Sequence, residues 1–82
     1  MIATIASSIS ANRIKRSLAA EGVHLSVIQT PHRLTREGCG YSIRFDDDMF
    51  DQVKRTAEEL NIKVRAYYAE QTIDGKKEYF KL

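Results

Sequence analysis

The spacing of apolar residues changes several times along the chain, and each change marks an element. Met1-Ile2-Ala3-Thr4-Ile5-Ala6 is apolar and partly β-branched, which predicts a short strand over residues 1–6. Ser7, Ser8 and Ser10 then offer N-cap oxygens, and Ala11, Ile14 and Leu18 recur at helical spacing. Gly22 stands where a helix-terminating glycine belongs, so the first helix is expected over about residues 9–21. Val23, Leu25 and Val27 alternate with His24 and Ser26 in a second, half-buried strand that Pro31 ends.

A polar, basic loop from Thr30 to Gly38 runs into Cys39-Gly40. Tyr41, Ile43 and Phe45 alternate with Ser42 and Arg44, predicting a third strand. Asp46, Asp47 and Asp48 are candidate caps for a second helix that carries Phe50, Val53, Ala57 and Leu60 on one face. Ile62, Val64, Ala66 and Tyr68 then alternate with Lys63, Arg65 and Tyr67 in a long fourth strand. Asp74-Gly75 is a two-residue hairpin signal, and a short fifth strand through Tyr79-Phe80 follows.

The order β-α-β-β-α-β, with one more β appended, is the split βαβ pattern of ferredoxin-like folds. The expected class is α+β, with two helices on one face of an antiparallel sheet and a right-handed first crossover. The sheet order would be 4-1-3-2, with the added strand beside strand 4. Residues 1–82 form a single expected domain, with 69–82 as a C-terminal hairpin extension.

Composition narrows function more by exclusion than by indication. Eighty-two residues supply one thin core, which disfavours a deep pocket or an enclosed large cofactor, and no cofactor is expected. A formal net charge of +2 is too mild to imply a nucleic-acid partner. No basic-then-apolar leader and no run near the ~20 apolar residues of a membrane span occurs, so a cytoplasmic protein with no membrane partner is expected. One cysteine, Cys39, excludes an intramolecular disulfide.

In the expected topology, the loop after strand 1 and the loop between strands 2 and 3 share one end of the sheet. Cys39 would then lie near the start of the first helix, in parity with Tyr41, Ile43 and Phe45. His32, Arg33 and Arg36 would be its cationic neighbours and Glu37 its nearest acid. Helix starts and cations stabilise a thiolate. Gly38 and Gly40 would let another molecule approach closely. The competing account makes Cys39 a small packed hydrophobe and the basic loop a solvated one.

Cys39, His24 and His32 are too few and wrongly spaced for a metal site, and no metal is expected. No phosphate-binding glycine loop or nucleophile elbow occurs. Arg44, Lys63, Arg65 and Tyr67 would face away from the helices as a basic surface. The aromatic stacking positions of RNA-binding sheets are missing, so nucleic-acid binding is disfavoured. That open face leaves room instead for a homodimer or a docking partner.

The stretch from Pro31 to Phe45 resembles the signature of the selenium/sulfur carrier protein-like family. Those are short bacterial and archaeal chains with a Pro-Arg-aliphatic-Ser/Thr stretch, then Cys-Gly, then an apolar strand. The match falls on Pro31, Arg33, Leu34, Thr35, Cys39 and Gly40, and the likeness spans about residues 1–68. The resemblance implies that Cys39 holds sulfur or selenium as a persulfide-type adduct. It implies as partners a cysteine desulfurase-type donor and an acceptor protein, with the chain a carrier rather than a turnover enzyme. Against this stands a non-catalytic interaction or regulatory module that uses the open sheet face, with Cys39 only structural.

Overall fold

The computed structural model describes residues 1–31, 34 and 40–82. Five strands and two helices appear in the order β1 (Ile2–Ile5), α1 (Ser8–Ala19), β2 (Ser26–Gln29), β3 (Tyr41–Arg44), α2 (Phe50–Glu59), β4 (Val64–Ile73) and β5 (Lys76–Lys81). The fold is α+β, and every strand pair in the sheet is antiparallel. The sheet order is β2-β3-β1-β4-β5, the order expected from the sequence.

Local chemistry accounts for the helix ends. The Ser7 hydroxyl accepts the Ser10 N–H at 3.2 Å, which caps α1. At the other end, Val23 N–H donates to the Leu18 carbonyl and Gly22 N–H to the Ala19 carbonyl. This is a Schellman closure, and it needs the left-handed backbone that Gly22 adopts at φ +84°. α2 closes in the same way: Ile62 N–H reaches the Ala57 carbonyl, and Asn61 takes the left-handed position at φ +57°. The start of α2 differs from expectation. Asp47–Met49 form a short 3-10 turn, and Asp46 makes no side-chain cap bond. Asp47 instead lies 3.4 Å from the Met1 amino group, so tertiary contact draws it away from the helix.

The core lies between the helices and one face of the sheet. Ala3 and Ile5 of β1, with Ile43 and Phe45 in and just after β3, join Ala11, Ile14 and Leu18 of α1 and Val53 and Ala57 of α2. Asp74 (φ +52°) and Gly75 (φ +77°) form the expected two-residue turn between β4 and β5.

One expectation is overturned. Thr4 faces Ala66 across the β1–β4 ladder, but Ile5 faces Val64, leaving Arg65 as the extra residue of a β-bulge. A bulge reverses side-chain parity beyond it. Tyr67, expected on the outer face, therefore lies opposite Ala3 on the helix side. Its ring meets Phe50 of α2 edge-to-face, with centroids 4.9 Å apart. Ala66 and Tyr68 move to the outer face instead.

The outer face is also less open than expected. Ile2 and Ser42 are completely buried there, and Thr4 and Thr30 nearly so. No helix among the described residues is long and apolar enough to cross a membrane.

Candidate functional site

Two polar devices occupy the outer face. At one end, Arg44 makes two guanidinium bonds to the Glu70 carboxylate, at 3.1 and 3.2 Å. The Met1 ammonium at 3.7 Å and Lys77 at 3.6 Å complete the cationic surround of Glu70. In the ladder register Arg44 pairs with Ile2, and Ile2 with Tyr68, so the two strands that hold this ion pair flank the buried Ile2. Burial alone would raise the Glu70 pKa. The hydrogen bond and charge of Arg44, with the N-terminus and Lys77, outweigh that and hold it below the ordinary glutamate value.

Toward the other end, the Thr30 and Ser42 hydroxyls meet at 2.8 Å in a buried pair. Thr30 N–H donates to the Gly40 carbonyl at 3.1 Å, so Thr30, just after β2, and Gly40, just before β3, are tied together. Gly40 has φ +130°, which side chains rarely adopt. A Cβ there would also stand 3.4 Å from the Thr30 hydroxyl. Glycine is required at this point by backbone conformation, independently of any ligand.

A cleft of about 190 Å³ opens beside this junction. Thr4, Thr30, Gly40, Arg65, Tyr68 and Lys81 line it, with Leu34 contributing apolar surface. Leu34 is held by its N–H bond to the Pro31 carbonyl at 2.9 Å. The β-bulge aims Arg65 and Ala66 into the same space, and cross-strand pairing sets Lys81 beside Tyr68.

Of the residues singled out from the sequence, Leu34, Gly40 and Arg65 line this cleft. Gly40 follows Cys39 in the chain and precedes Tyr41, which pairs with Ile5 close before the start of α1. His32, Arg33, Arg36, Gly38 and Cys39 lie outside the described residues. His24 is exposed just before β2. Arg65 stands on the outer face as expected, whereas Tyr68 and Lys81 were not expected there, because the outer set depends on the bulge and on pairing with β5. The consecutive Tyr67-Tyr68 pair was the one available signal, since strict alternation would leave one of these aromatics on the solvent side.

The fold and this junction define a small α+β domain whose lone cysteine precedes a glycine on an outer-face cleft. Residues 1–69 match the family described as "Putative Se/S carrier protein-like", and the chain belongs to that family. The match ends within β4, before the turn to β5. Comparison with curated proteins and with solved structures gives no match.

Proposed function

We propose that the chain is a sulfur or selenium carrier in which Cys39 holds the transferred atom. The observation that carries this reading is the family match over residues 1–69, within which Cys39 is the only cysteine. Gly40, the next residue, lies on the cleft, which supports a transfer site at this end of the sheet.

The chemistry is thiol–persulfide exchange. The Cys39 thiolate attacks the outer sulfur of a donor persulfide, R–S–SH. A new Cys39 S–S bond forms, the donor S–S bond breaks, and the donor thiolate R–S⁻ leaves with the bonding electron pair. The proton stays on the transferred sulfur, giving Cys39–S–SH. The selenium case substitutes selenium for the outer sulfur. In this reading His32, Arg33 and Arg36 stabilise the thiolate and steer the donor, while Gly38 and Gly40 permit its approach. The ferredoxin-like split βαβ arrangement, a cytoplasmic location in a bacterial cell, and a desulfurase-type donor with a protein acceptor belong to the same proposal. The rival interaction module needs an open outer face, and the burial of Ile2 and Ser42 leaves less of that face available.

The test is incubation with a cysteine desulfurase and cysteine, followed by intact-mass measurement. A gain of one sulfur atom, absent in a folded Cys39→Ala variant, is the expected result. A folded wild-type protein that gains nothing, or an equal gain in Cys39→Ala, would overturn the proposal.

A further inference from the structure

Charge is distributed unevenly over the outer face. Glu70 is surrounded by Arg44, the Met1 ammonium and Lys77. Along the same face, the cleft is lined by Arg65 and Lys81 and by no acidic residue among the described ones. Neither cation forms an ion pair among the described residues. Two like charges facing one concavity repel each other, and an anion between them relieves that repulsion.

The uncharged lining suits the same kind of guest. The Tyr68 hydroxyl has no hydrogen-bond partner among the described residues and can donate. Thr30 can direct its proton into the cleft when Ser42 donates within the 2.8 Å pair. Thr4 is committed, since its hydroxyl donates to the Ala66 carbonyl at 3.3 Å. The Arg65 fork matches the oxygen spacing of an oxyanion. A volume of about 190 Å³ is below the ~300 Å³ at which pockets for larger organic ligands begin.

We propose that this cleft is a binding site for a small inorganic oxyanion, held by Arg65 and Lys81 with hydroxyl donation from Tyr68 and Thr30. The site goes beyond the carrier reading and requires nothing of Cys39. Its test is therefore made on the Cys39→Ala protein without any sulfur donor, so that either proposal can fail alone.

The experiment titrates isotope-labelled Cys39→Ala protein with phosphate, sulfate and selenite in separate arms, with chloride holding ionic strength constant. Amide shifts are followed by nuclear magnetic resonance. Saturable shifts centred on Thr4, Thr30, Gly40, Arg65, Tyr68 and Lys81 in at least one arm are the expected result. Adding Arg65→Ala should weaken binding by about tenfold or more, Lys81→Ala by less, and Arg65→Lys should retain part of the affinity. The amide spectrum of each variant reports whether its fold is intact. Shifts that stay linear in all three arms would overturn the site. So would shifts equally large at Lys15 and Arg16 on α1, or shifts unchanged in folded Arg65→Ala and Lys81→Ala variants.

Discussion

Over the central strands β1 and β3, the two faces of the sheet are both closed to water, by opposite means. On the helix side Ile5, Ile14, Leu18, Ile43 and Val53 are buried against one another, and closure comes from non-directional apolar contact. On the outer side the same central strands bury Ile2, Thr4 and Ser42, and among the described residues neither α1 nor α2 covers them. There the contacts are a hydroxyl pair, Thr30–Ser42, and an ion pair, Arg44–Glu70. Apolar closure tolerates approximate geometry, whereas polar closure fails when one partner is lost. The difference teaches where function can reside. A face closed by a few directional pairs leaves gaps between them, and the cleft beside Gly40 is such a gap.

The comparison is broken most severely from the helix side. Ile14→Ala or Ile43→Ala should each cost about 2–5 kcal/mol, because both side chains are fully buried and the surrounding elements close only partly over the space. Urea unfolding followed by circular dichroism measures this.

On the outer face, Ser42→Ala should cost about 1–3 kcal/mol by leaving the Thr30 hydroxyl without its partner. The Ser42→Ala/Thr30→Val double variant should cost less than the sum of its singles, since neither hydroxyl is then stranded. Additive losses in the double-mutant cycle would show that the pair does not close this face.

Glu70→Gln should cost about 1 kcal/mol, because Arg44 is 39% exposed and water recovers part of the lost interaction. The same residue sets an acid limit. Its folded pKa lies below its unfolded one, so the stabilisation is complete above the ordinary glutamate value of ~4.3. It is lost as pH falls through the folded value, and Glu70→Gln should flatten that part of the stability–pH curve.

Tyr67 gives the helix face the smallest and opposite response. Burial, then the charge of Glu58, raises its pKa above the usual tyrosine value. The folded state keeps its proton longer than the unfolded state, so stability should decline as pH rises above ~10. Tyr67→Phe should remove that alkaline component while leaving the acid limb at Glu70 unchanged.

Local signals were legible where one residue type satisfies one backbone need. Ser7 as an N-cap, Gly22 as the left-handed closure of α1 and Asp74-Gly75 as the hairpin turn all act over a few neighbouring residues. Asn61 performs the Gly22 function at the end of α2, yet its sequence context carries no comparable marker. The three aspartates at 46–48 looked like caps, and the Met1 amino group claims Asp47 instead. At the candidate site, Gly40 was readable beside Cys39 and Arg65 as an outward-facing cation, while the convergence of Arg65 with Tyr68 and Lys81 was not. They converge through strand pairing between segments distant in the chain.

The element order, the sheet order and the apolar set facing the helices follow from the sequence, because periodicity records which side of each element must leave water. The exchange of Tyr67 for Tyr68 followed from a bulge opposite Thr4 and Ile5. A single extra residue reverses every later side chain while leaving the apolar count unchanged. The polar closure of the outer face and its cleft were likewise decided by tertiary structure. Directional hydrogen bonds and ion pairs depend on which atoms the finished sheet brings within about 3 Å, a relation that spacing along the chain does not encode.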